Sequence, residues 1–165
     1  MSISERPNPA EVISVAIGRL GVASPPFVIR TLLGSCVGVV LYEKIARVGG
    51  VAHVVLPDSR GVTEQPGRFA DTAIPALIAE IDRVLGRSSK GRLTAKIAGG
   101  ASMFQAGAAM NIGKMNCDAV ERILAALDIP ILGRDLGGES GRHLTLDTRS
   151  GIVTIKVPGG AESRL

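Results

Sequence analysis

Two stretches decide the reading: Thr31-Leu-Leu-Gly-Ser-Cys-Val-Gly-Val-Val-Leu-Tyr42 and Val48-Gly-Gly-Val-Ala-His-Val-Val-Leu-Pro57. Both hold short Val-rich runs bounded by Gly and Pro, the pattern of strands buried on one or both faces. Folded as an antiparallel hairpin about Lys44-Ile45, they place Tyr42 opposite Arg47, Val40 opposite Gly49, Gly38 opposite Val51 and Cys36 opposite His53. Directly opposed residues share a face, with Cβ atoms about 4.5–5.5 Å apart. This register brings a thiol to an imidazole. Lys-Ile is not a two-residue turn sequence. A four-residue loop over residues 43–46 keeps the same register, whereas a bulge at Gly49-Gly50 breaks it.

A free thiol with a pKa of roughly 8.5 is a poor nucleophile at neutral pH, and a neighbouring imidazole supplies the missing activation. Gly34, Ser35, Gly38, Gly49 and Gly50 keep the surroundings of the pair low enough for a substrate to approach. The competing reading makes Cys36 a small buried hydrophobe and His53 a satisfied core histidine. Spacing alone leaves both open.

Working outward, Val12 to Gly18 and Phe27 to Leu33 read as strands ahead of the hairpin, and residues 1–10 as a disordered leader. Pro57 to Arg68 is a polar loop. The period then changes: Ile74, Leu77, Ile78, Ile81 and Leu85 recur at helical spacing until Gly86. Asp71 or Thr72 is the expected cap, which keeps Pro75 in the first turn. Leu93 to Ala98 reads as a strand. Asn116 is the expected cap of a second helix with Val120, Ile123, Leu124 and Leu127 on its apolar face. Ile129 to Leu132, Arg142 to Leu146 and Ile152 to Val157 read as strands. Strands, helix, strand, helix, strands make an α/β chain of the α+β type. Its expected form is one domain over residues 11–165, with mixed or antiparallel sheet layers flanked by two or three helices.

Composition narrows the function. Hydrophobic residues make up 45% and charged residues 21%, as in globular domains. The net charge of +4 is spread along the chain, and aromatics are only 2%. Nucleic-acid binding wants a basic stripe interleaved with stacking rings, so it is not expected. No run approaches the roughly 18 apolar residues of a membrane span, so membrane insertion is not expected. Neither a disulfide framework nor metal-ligand spacing arises from two Cys and two scattered His. Free thiols in a reducing cytoplasm fit best.

Further matches extend the pattern. Leu33-Gly-Ser-Cys-Val37 and Gly50-Val-Ala-His-Val-Val-Leu-Pro57 are followed by Arg68-Phe-Ala-Asp-Thr-Ala-Ile74, Gly99-Gly-Ala-Ser-Met-Phe104 and Asn111-Ile-Gly113. Ile129-Pro-Ile131, Asp135-Leu-Gly-Gly138 and Gly141-Arg142 complete the series. In this order, from about Val12 to Lys156, the chain resembles the chemoreceptor glutamine deamidase family, CheD. The resemblance implies hydrolysis of selected glutamine side chains on the cytoplasmic helices of chemoreceptors, without metal or cofactor. It places the family's nucleophile on Cys36 and its base on His53. The hydroxyl residue that holds the imidazole falls on Thr31. It also implies the CheC phosphatase as a partner. Two rivals stand beside this reading: a binding module for CheC or receptors with secondary catalysis, and a thiol esterase acting on receptor methyl-glutamates.

Other chemistry-bearing residues have plainer readings. Cys117, near a helix start, reads as structural, and His143 as an exposed strand position. Gly99-Gly100 reads as a tightly packed turn, or as a loop beside the active site. Asp135 and Glu139, with Gly137-Gly138 between them, read as loop polarity. Met103 and Phe104 could contact a substrate helix or fill core.

Overall fold

The computed structural model describes residues 8–102 and 111–165. Residues 1–7 of the expected leader, and Met103 and Phe104, lie outside the described residues. A 3-10 turn at Pro9–Glu11 opens the described chain. Strands β1 (Val12–Ser14), β2 (Leu20–Ala23), β3 (Val28–Leu33), β4 (Val37–Glu43) and β5 (Val48–Val54) follow. Helix α1 (Ala70–Leu85), strand β6 (Leu93–Gly99) and helix α2 (Ile112–Ala126) come next. Strands β7 (Ile131–Leu136), β8 (Arg142–Asp147), β9 (Val153–Lys156) and β10 (Glu162–Arg164) complete the order.

The strands form two five-stranded sheets, ordered β1-β3-β8-β9-β10 and β2-β5-β4-β6-β7. Each is mixed: β1 runs parallel to β3, and β6 parallel to β7, with antiparallel pairs elsewhere. Parallel neighbours need a crossover, and α2 supplies the one between β6 and β7. The α/β expectation of mixed sheet layers with flanking helices therefore holds. Two short strands, β2 and β10, have no strong apolar run and escape the sequence reading.

The second sheet is the middle layer of three. Alternation along β4 sends Val37, Val39 and Leu41 towards α1 and α2, and Val40 towards the first sheet. One core joins the helices to the middle sheet through Ile74, Leu77, Ile81, Val120 and Leu124. The other joins the two sheets through Ile29, Leu33, Val51, Leu144 and Leu146. Strands β4 and β5 are buried along their whole length because both faces are covered.

Both helix starts differ from expectation. Helix α1 begins at Ala70 behind Phe69, with no side-chain cap. The Asp71 carboxylate instead accepts from the backbone N–H and the hydroxyl of Ser59, at 2.9 and 2.8 Å, and fastens the preceding loop. Pro75 consequently falls in the second turn, where its missing N–H removes one helical bond. Helix α2 is capped five positions before the expected place: Asn111 is the cap, and its side chain accepts from the Lys114 N–H. Asn116 is a buried residue inside the helix.

Candidate active site

The hairpin of β4 and β5 forms, but its register differs from the expected one. Glu43 pairs with Val48, Tyr42 with Gly49, and Gly38 with His53. The loop occupies residues 44–47, one position later than expected. Arg47 takes a left-handed φ of 56°, and the Glu43 carboxylate accepts the Ala46 N–H at 2.6 Å. Moving the loop by one residue shifts every pair by two. Side chains alternate with period two, so a two-residue shift preserves faces. Cys36, just before β4, is therefore a diagonal rather than direct neighbour of His53. Gly49 and Gly50 form no bulge. A Cβ on Gly50 would meet Leu77 at 2.6 Å, so the glycine lets α1 close on the sheet.

Cys36, His53 and Thr31 line one cleft of about 560 Å³ between the ends of the two sheets. They are 7%, 5% and 5% exposed. Thr31 belongs to β3, where Ile29, Thr31 and Leu33 face inward while Arg30 and Leu32 face solvent. Its hydroxyl reaches across to the middle sheet and lies 2.7 Å from His53 Nδ1. The same oxygen lies 2.8 Å from the Val15 carbonyl. A hydroxyl has one hydrogen, and a carbonyl can only accept. Both contacts are hydrogen bonds only when Thr31 donates to Val15 and His53 Nδ1–H donates to Thr31. That tautomer leaves Nε2 with its lone pair. The imidazole backbone is clamped as well: His53 N–H donates to the Arg19 carbonyl, and the His53 carbonyl accepts from Gly18 N–H.

Burial acts on both groups in the direction that keeps them neutral. It pushes the Cys36 thiol up and the His53 imidazole down. Burial thus favours the neutral thiol and the neutral imidazole over a thiolate–imidazolium pair.

The loop carrying Cys36 is held from behind. Gly34, Ser35 and Cys36 each present a carbonyl to a protein donor: Ala101 N–H at 3.0 Å, Asn116 Nδ2 at 3.2 Å and Gly100 N–H at 2.9 Å. The Gly99-Gly100 pair is thus the tight turn directly behind the cysteine. A Cβ on Gly99 would overlap the Cys36 carbonyl oxygen, and one on Gly100 would overlap the Cys117 sulfur. Asn116 is not the expected cap. The signal that marks it is a polar residue within the apolar stripe of Gly113, Cys117, Val120 and Leu124.

The remaining residues resolve simply. Cys117 is buried against Gly100, and His143 is exposed on β8. Asp135 is paired rather than free: Arg142, itself buried, donates to its carboxylate at 2.5 Å, to its carbonyl at 2.7 Å and to the Gly137 carbonyl. That guanidinium shapes the loop ending at Gly141, which lines the cleft. Among the described residues, no three His, Cys, Asp or Glu side chains cluster as a metal site. No described helix is long and apolar enough to cross a membrane.

A two-sheet α/β domain with a thiol, an oriented imidazole and a pinned glycine-rich loop in one cleft has the make-up of a thiol-dependent hydrolase. The family profile described as CheD chemotactic sensory transduction matches residues 55–157, and the chain belongs to that family. It is 48% identical over 154 residues to the probable chemoreceptor glutamine deamidase CheD of Desulforamulus reducens, covering 89% of this chain and 91% of that one. It is 44% identical to the protein of that name from Methanococcus maripaludis, covering 88% and 94% of the two chains. The chemoreceptor glutamine deamidase CheD of Thermotoga maritima is 43% identical, covering 90% and 93%.

Proposed function

We propose that this chain is a protein-glutamine deamidase that converts selected chemoreceptor glutamines to glutamate, with Cys36 as nucleophile, His53 as base and Thr31 holding the imidazole. The observation that supports the roles is the Thr31 bridge, which occupies Nδ1 and leaves Nε2 of His53 free to accept, in a residue that lines the same cleft as Cys36. Family membership supports the reaction.

The steps follow from that arrangement. His53 Nε2 takes the thiol proton, and the sulfur attacks the side-chain amide carbon. The carbonyl π electrons move to oxygen, and backbone N–H groups at Ser35-Cys36 stabilise the oxyanion. The oxyanion collapses, the C–N bond breaks, and the imidazolium proton leaves with the nitrogen as ammonia. His53 then takes a proton from water, whose oxygen attacks the thioester. The C–S bond breaks, and the proton returns to sulfur, leaving free Cys36 and a carboxylic acid that ionises to carboxylate by releasing its proton to solvent. The chain's own residues supply every group these steps use.

Ile17 and Leu32, 65% and 57% exposed, flank the cleft. They give an amphipathic receptor helix an apolar surface beside the reacting amide. The protein acts in the cytoplasm, where those receptor helices lie, and CheC is a second partner on the strength of the family resemblance.

Peptide mass spectrometry on a receptor cytoplasmic fragment, incubated with wild-type protein or Cys36→Ala, tests the reading. Discrete glutamine-to-glutamate conversions with ammonia release, absent in the variant, are expected. Conversion that survives Cys36→Ala would sink the mechanism. Methanol released from methylated fragment without deamidation would make the chain an esterase, and binding without either product a docking module.

A further inference from the structure

We propose that Asn116 is a positioning residue for the reaction: its side-chain amide locks the Ser35–Cys36 peptide so that the Cys36 N–H faces the cleft as an oxyanion donor. The inference rests on the deamidase reading and adds a residue to it from the far side of the middle sheet.

Asn116 is fully buried on α2. Its Nδ2 lies 3.2 Å from the Ser35 carbonyl and 2.9 Å from the Val55 carbonyl. Both partners are acceptors, so only the nitrogen end of the amide can face them. One side chain thereby ties the residue before Cys36 to the segment just beyond His53. Its own Oδ1 finds no partner among the described residues. Orphaning a buried oxygen is costly, and an apolar side chain of the same size would avoid that cost. What the amide adds is two donors at these two carbonyls.

The peptide bond is planar and trans, so its C=O and N–H point in opposite directions. Holding the Ser35 carbonyl against α2 turns the Cys36 N–H away from α2, to the side of the sheet where the cleft lies. The preceding peptide is treated alike: Ala101 N–H holds the Gly34 carbonyl and turns the Ser35 N–H outward. Among the described residues, neither the Ser35 nor the Cys36 N–H donates to a protein acceptor. Two adjacent unspent donors beside a nucleophile are what a developing oxyanion requires.

Glycines make this approach feasible. A Cβ on Gly113, one turn before Asn116, would overlap the Gly100 carbonyl oxygen. Only a bare backbone there lets α2 settle close enough for its amide to reach Ser35.

The full-length Asn116→Leu variant tests the inference, with the receptor cytoplasmic fragment as substrate and Cys36 alkylation by iodoacetamide measured in parallel. Alkylation needs the thiol and His53 but develops no oxyanion. If Asn116 positions the donor, kcat falls by about 10²–10³, the effect of one oxyanion donor. KM and the Cys36 alkylation rate stay within about threefold of wild type. Unchanged kcat in the folded variant overturns the inference. So does alkylation that falls in step with kcat, which means that the loop has simply collapsed. Should Asn116→Leu not fold, Asn116→Asp keeps the shape with at most one donor and is judged by the same ratio of kcat to alkylation rate. Wild-type protein that alkylates normally but releases no ammonia defeats the deamidase reading itself, an outcome distinct from any variant result.

Discussion

Thr31 and His53 come from different sheets, and their side chains meet at 2.7 Å, with the Val15 carbonyl 2.8 Å away on the other side of the hydroxyl. The contact fixes both the ring orientation and the proton position of the imidazole. Thr31→Val keeps the volume and removes the hydroxyl. It should cost kcat up to ~10²–10⁴, the usual contribution of a placed general base. It should also cost about 1–3 kcal/mol of stability, because the Val15 carbonyl is left unpaired in the interior. Thr31→Ser retains the bridge and should recover most of the activity. Steady-state kinetics and urea denaturation of both variants check this.

The pH behaviour follows from burial. The Cys36 thiol is pushed up, so wild-type protein should show no thiolate absorbance at pH 7 beyond that of Cys36→Ala. A thiolate signal at neutral pH would overturn the neutral-pair assignment. Burial pushes the His53 imidazole down, so the base form persists below the ordinary value of about 6.5. The acid limb of kcat/KM should therefore fall below that value. The stability consequence has a definite sign. As the pH drops below about 6.5, the unfolded chain protonates His53 first while the folded chain resists. Stability is lost over that window and levels off below the folded value, and His53→Gln should remove that part of the loss. Thermal melts of both proteins from pH 8 downward measure it.

Gly99 should not tolerate a side chain. Its φ is +112°, and an added Cβ would overlap the Cys36 carbonyl oxygen, which is backbone and cannot swing aside. Gly99→Ala should cost about 1–3 kcal/mol from the strained backbone. It should also cost much of the activity, because the strain is relieved by moving the cysteine loop. Gly86→Ala is the control. Gly86 also has a positive φ, +69°, but faces open space at the end of α1. It should lose about 1–2 kcal/mol with full activity. Equal activity in the two variants would separate Gly99 from the site.

Much of this protein was legible in its sequence. Local pattern identified the Val-rich strands, and the 3.6-residue period of Ile74, Leu77 and Ile81 identified α1. Cys36 and His53 fell on one face because their parity survives a two-residue change of register. The register itself was not legible: it depends on where a four-residue loop begins, and Glu43 and Arg47 set that through a side-chain acceptor and a left-handed φ. The helix starts are not legible for a related reason. Asp71 and Asn116 have the residue types of caps, yet both are occupied by distant partners, the Ser59 loop and the Ser35 and Val55 carbonyls.

The sequence alone determined which segments are apolar, where the period changes, and which residue types gather around Cys36, because these are properties of neighbours along the chain. The tertiary structure decided that Thr31 reaches His53 from the opposite sheet, and that Asn116 and Gly100 hold the cysteine loop from behind. Those contacts join residues 22 to 81 positions apart. Their existence depends on how two sheets and a helix stack, which no local pattern encodes.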